Sequence, residues 1–118
     1  MLLTKKDLLD IRENTESRLV VEVIDIILDE VQEEEDLDKY LDNVLEYGAN
    51  TGCVSSLTYT SDCRKFVQNN IDEVLEVYNI TRAESSGIPE ELDVNYLAWT
   101  AFGYICFRIK NGDSLITV

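Results

Sequence analysis

The sequence predicts an all-α protein: a compact bundle of about five helices in a single domain, residues 1–118. Three observations lead there. Apolar residues recur at three- and four-residue spacing along most of the chain, residues suited to capping stand where those patterns begin, and the one proline, Pro89, falls in a loop-like stretch. With 118 residues and 45% hydrophobic side chains, the chain is long enough to bury one core and short for two.

Thr4 is placed to cap a first short helix that continues through Asp7, Leu8 and Ile11. Thr15 or Ser17 caps the second, where Leu19, Val20, Val23, Ile24, Ile27, Leu28 and Val31 form a wide apolar face. Several of these are β-branched and weak helix formers, so packing has to hold the segment together. A strand is the rival reading of LVVEVIDIIL, but alternation fails at Ile26-Ile27-Leu28. Asp36 opens the third helix, with Leu37, Leu41, Val44 and Leu45 facing inward and Gly48 at its C-terminal turn. The acidic helices thus occupy about 17–47.

ANTGCVSSLTYT reads as irregular, with one helical turn from Val54 to Leu57. Ser61 caps a fourth helix running through Phe66, Val67, Ile71, Val74, Leu75 and Tyr78, and TRAESSGIPEEL is a loop. Asp93 starts the last helix, about 93–111, which ends at Asn111-Gly112. Its core, VNYLAWTAFGYICFRI, is apolar almost all round, as expected of a helix enclosed by others. Asn95 and Thr100 interrupt it and Arg108 and Lys110 close it, so it is too short for a membrane span. The tail SLITV reads as a short strand or a frayed end.

The chain carries 24 acidic and 10 basic residues, a net charge of −14. Direct binding of nucleic acid needs a basic footprint and is excluded on that ground, as is an anionic membrane surface. There is no histidine, which removes Ser-His-Asp and Cys-His catalysis and histidine-ligated zinc. Cys53, Cys63 and Cys106 form no C-x-x-C pair, and no apolar run of signal length opens the chain, so a reducing cytoplasm is expected. Neither a cofactor nor a metal is called for.

The charge is concentrated. From Glu22 to Glu46 eleven carboxylates face one lysine, Lys39, a net −10. Glu22, Asp25, Asp29 and Glu33 fall on one stripe of the second helix; Asp38, Asp42 and Glu46 fall on one stripe of the third; Glu33, Glu34, Glu35 and Asp36 form the link. A short link predicts that the two helices are antiparallel neighbours sharing roughly 20 Å. That spreads the charge at about one per 2 Å, against one per ~1.7 Å of duplex axis. An acidic face is most often a solvated surface, yet such a surface usually mixes signs, and only Glu35-Lys39 does so here.

The same residues bear on other chemistry. No glycine stands where a calcium loop needs it. Glu22-x-x-Asp25, Glu30-x-x-Glu33 and Glu73-x-x-Glu76 share the spacing of magnesium-binding pairs in all-α nucleoside-triphosphate pyrophosphatases, with Arg64, Lys65 and Arg82 as phosphate contacts, but that spacing arises by chance in acid-rich helices. Tyr40 and Tyr47 read as edge-of-core residues, with interface anchors as the alternative, Tyr96, Trp99, Phe102 and Tyr104 as core, and Cys106 as buried filler. Cys63, beside Asp62 near a helix start, reads as inert.

The segments YLDNVLEYGANTGCVSSLTYTSDCRKFVQNNIDEVLEVYN and VNYLAWTAFGYICFRI resemble a group of small acidic proteins of unassigned function encoded by bacteriophages and prophages. The likeness rests on the helix ending at Gly48, the Gly52-to-Tyr59 segment, Ser61-Asp62 and Leu97-Ala98-Trp99. It implies a helical fold and a mobile-element origin, and no chemistry. By analogy with small acidic phage proteins as a class, the expected function is non-enzymatic inhibition of a host defence system, anti-CRISPR or anti-restriction in type, in the host cytoplasm. Glu22, Asp25, Asp29, Glu33, Glu34, Glu35, Asp38, Asp42 and Glu46 would stand in for phosphates in the basic groove of a defence nuclease or CRISPR effector. The alternatives are the magnesium enzyme above and an accessory module binding another phage protein.

Overall fold

Six α-helices and two single turns of 3₁₀ helix make up the described part of the chain, and no strand occurs among the described residues. A computed structural model describes residues 3–50, 52–77 and 93–112. The helices are α1 (Lys5–Asn14), α2 (Arg18–Glu30), α3 (Leu37–Tyr47), α4 (Thr60–Asn69), α5 (Ile71–Val77) and α6 (Val94–Lys110). The 3₁₀ turns, Glu34–Asp36 and Ser55–Leu57, precede α3 and α4. The predicted all-α class holds. Tyr78, Arg82, the 81–92 loop with Pro89 and the SLITV tail lie outside the described residues.

Local chemistry sets the ends. The Thr4 side chain accepts from the Asp7 amide while the Asp7 carboxylate accepts from the Thr4 amide, a reciprocal cap that satisfies two donors of α1. Ser17 accepts from the Val20 amide and starts α2; Asp93 accepts from the Asn95 and Tyr96 amides and starts α6. Gly48 ends α3 at φ 89°, ψ 167°, a region essentially closed to residues with a Cβ. Gly48→Ala has room for its methyl group, with nothing nearer than 3.8 Å, so its cost is backbone strain alone. The expected loss is about 1–3 kcal/mol in denaturant unfolding; a loss under a few tenths would show that this turn relaxes.

α6 is the axis of the core. It packs most extensively on α4 and also meets α3, α5, α2 and the Ser55–Leu57 turn. Leu97, Ala98, Ala101, Phe102, Ile105, Cys106 and Ile109 are buried on it, joined by Leu19, Val20, Val23, Ile24 and Ile27 of α2 in one contiguous cluster. This packing is what sustains the β-branched α2. Ala98 and Ala101 are fully buried, and Trp99 ties α6 to the 3₁₀ turn by donating to the Leu57 carbonyl at 2.9 Å.

Several expectations are corrected. The fourth helix is two: it breaks at Asn70 (φ −130°, ψ 31°), whose side-chain amide turns back to donate to the Phe66 carbonyl and across to Glu22. Tyr59, and not Ser61, stands at its N-cap. Asp36 makes no capping bond, because a 3₁₀ turn already leads into α3. Leu45 is exposed. α6 is not enclosed all round, for Tyr96, Tyr104 and Phe107 are exposed along it. Nor are α2 and α3 paired along their lengths: α2 lies against α1 and α6, and α3 against α6. Both helices pack more on the central α6 than on each other.

Candidate partner-binding site

The Val31–Asp36 link joins α2 to α3, and this elbow gathers the densest charge. Asp29, Glu33, Glu34, Glu35 and Asp36 are all exposed there. Asp29 lies on the last turn of α2, four residues before Glu33, and Glu34–Asp36 form the 3₁₀ turn. Beside them a hollow of about 370 Å³ is lined by Glu30, Val31, Gln32, Asp36, Lys39, Tyr40 and Asn43.

Glu22, Asp25, Glu30, Glu34, Asp38 and Asp42 are put to structural use. Glu22 accepts from the buried Asn70 amide at the α4–α5 break. Asp25 pairs with Arg12 of α1 at 2.7 Å. Glu30 accepts from the Ser55 amide at 2.8 Å and the Ser55 hydroxyl at 2.9 Å, fastening the end of α2 to the 3₁₀ turn. Glu34 accepts from the Lys5 amide at 2.8 Å, at the electropositive start of α1, while the Lys5 ammonium donates to the Gln32 carbonyl. Asp38 lies 2.6 Å and Asp42 3.2 Å from the Lys110 ammonium of α6, and Asp38 also accepts from the Leu3 amide at 2.9 Å. Glu46 is exposed near the far end of α3, some 15 Å along the helix from the elbow.

Of the nine residues expected to form one wall, only Asp29, Glu33, Glu34 and Glu35 therefore sit together at the elbow. Asp29, Glu33, Glu35 and Glu46 make no side-chain hydrogen bond or ion pair among the described residues. Sequence spacing identified the stripes but not their occupation: Arg12, Lys110 and Asn70 lie 13, 72 and 48 positions from their carboxylate partners. No local pattern reports such pairings.

The Lys110 bridge makes stability depend on pH in a defined direction. The Lys110 hydrogen bond holds the Asp38 carboxyl below its ordinary 3.8, against partial desolvation and with help from the Leu3 amide. Asp38 in turn holds the ammonium above its ordinary 10.5. A lowered carboxyl contributes fully above its unfolded value and loses the contribution as pH falls through the folded one; a raised ammonium contributes fully below its unfolded value and loses it as pH rises through the folded one. Lys110→Met should therefore cost about 1 kcal/mol from roughly pH 5 to 9. The difference from the parent should vanish in strong acid. Urea unfolding across pH checks this, and a cost independent of pH would remove the bridge as its source.

Among the described residues no three acids or cysteines converge to hold a metal. Within the paired spacings, Glu22 and Asp25 turn to different partners, Glu30 to Ser55, and Glu73 accepts from the Ser17 hydroxyl and the Leu19 amide. Burial pushes the Cys106 thiol far up, and burial with the nearby Asp62 and Asp93 charges raises Cys63. Both shifts disfavour the thiolate. Tyr40 packs against the core, where burial and the Glu30 charge raise its phenol well beyond the usual range; Tyr47 is exposed.

Fold and site together define a small acidic all-α domain with an exposed carboxylate elbow. Residues 21–114 match the model of the domain of unknown function DUF7222, and the chain belongs to that family. No curated protein and no solved structure matches it. Within the chain, α1 precedes the matched segment. No helix among the described residues is long and apolar enough to cross a membrane.

Proposed function

We propose that the protein is a non-enzymatic, phage-derived inhibitor that docks its acidic elbow into the basic groove of a host protein that handles nucleic acid, of the restriction or CRISPR type, in the host cytoplasm. One observation carries the reading: among the described residues Asp29, Glu33 and Glu35 stand exposed with no internal partner, whereas Asp25, Asp38 and Asp42 are paired with Arg12 and Lys110. Uncompensated like charge opposes folding, so a function outside the domain is the physical reason to keep it. The phosphate surrogate is a short cluster, worth a few phosphates, and not a strand-length wall. Lys and Arg of the groove would pair with Asp29, Glu33, Glu34 and Glu35, with Glu46 at most a distant contact and Glu22, Asp25, Asp38 and Asp42 holding the fold.

Capture from host lysate, with and without added duplex DNA, tests it. A retained partner that handles nucleic acid, is released by competing DNA and is released by raised salt supports the proposal. Capture indifferent to DNA, or only of phage proteins, overturns it in favour of an accessory module.

A further inference from the structure

Of the six α-helices among the described residues, α1 carries the fewest buried side chains. It packs chiefly on α2, and Leu8 is its one fully buried side chain, with Ile11 half-buried and Leu9 half-exposed. Its other ties are polar, and most reach the acidic segment: Arg12 to Asp25, the Lys5 amide to Glu34, the Lys5 ammonium to the Gln32 carbonyl, and the Leu3 amide just before it to Asp38. Lys5, Lys6 and Arg12 are three of the ten cations in the chain. α1 thus gives the carboxylates what a basic partner would give them: an apolar anchor flanked by amides and cations.

We propose that α1 is a displaceable strap. It undocks from α2 as a unit while the α2–α6 core stays folded, and undocking releases Asp25 and Glu34 from their cations and amides and removes Asp38's contact with Leu3. A basic helical segment of the partner, with an apolar residue between two cations, takes the vacated place. The proposal rests on the elbow reading above and deepens it: a carboxylate surface that grows on undocking binds cations better, so a basic partner shifts the population toward the undocked state. Elements with few buried apolar contacts open below the global limit in this way.

Amide hydrogen exchange on the full chain tests the strap without any partner. Amides from Leu8 to Thr15 should exchange at least about tenfold faster, relative to their intrinsic rates, than those of Phe102 and Ile105. Leu8→Ala should accelerate the α1 amides by roughly 30-fold or more and leave α6 unchanged. Acceleration of α1 and α6 together would make α1 part of the cooperative core and overturn the proposal. In the partner assay, Leu8→Ala and Arg12→Ala should each strengthen capture, since both favour the undocked state. If exchange behaves as expected but neither variant strengthens capture, the strap has no role in binding and fails, while the elbow is judged separately by its own charge reversal.

Discussion

Changing Asp29, Glu33 and Glu35 together to lysine is expected to abolish partner capture while leaving the helical spectrum and unfolding midpoint close to those of the parent. These three carboxylates are exposed and make no side-chain hydrogen bond or ion pair among the described residues, so their replacement breaks no bond seen there. The net charge moves from −14 to −8, which relieves self-repulsion in the fold. Across an interface the change acts the other way. Each reversal turns an attractive pairing with a groove cation into a repulsive one, and juxtaposed like charges cost several kcal/mol. Asp38 and Asp42 are poor choices for such a test, because they hold Lys110 and their reversal would confuse loss of binding with loss of structure. Retained capture by the folded triple variant would place the interface elsewhere and remove the reason given for the exposed charge.

Phe102→Ala is the substitution expected to do most damage to the fold. Phe102 is fully buried on α6 and faces Phe66 of α4, with ring centroids 6.4 Å apart and tilted by 54°. That contact lies at the most extensive helix pairing in the molecule. Removing the ring takes away its transfer free energy and leaves a cavity that helices held on several sides cannot close, about 3–5 kcal/mol in all. Domains of this size are stable by only about 5–15 kcal/mol. Urea unfolding should show a much lower midpoint with an unchanged slope. A loss below 1 kcal/mol would mean that α4 and α6 repack freely, and that the α4–α6 contact is not the centre of the core.

Much of the architecture was legible in the residues. The caps at Thr4, Ser17 and Asp93 were readable because an N-cap is decided within four residues. So was the apolar face of α2, whose predicted members are buried or nearly so. Failures came where a distant group intervened. The break at Asn70 depends on a side chain that satisfies Phe66 and Glu22 at once, and a continuous 3.6-residue pattern conceals it. The exposed edge of α6 was hidden for a related reason: tyrosine and phenylalanine score as core wherever they stand, and only the number of surrounding helices decides how much of a helix is covered.

By itself the sequence determined the helical class, most of the helix starts, the buried face of α2 and the sign and concentration of the charge. These follow from backbone donors, side-chain spacing and composition, all of which act over a turn or two of helix. Tertiary structure alone decided which carboxylates are left over. Glu22, Asp25, Asp38 and Asp42 look no different in sequence from Asp29, Glu33 and Glu35, yet the first four meet Asn70, Arg12 and Lys110 and the others meet solvent. Ionic pairing depends on distance in space, and chain folding sets that distance independently of sequence separation.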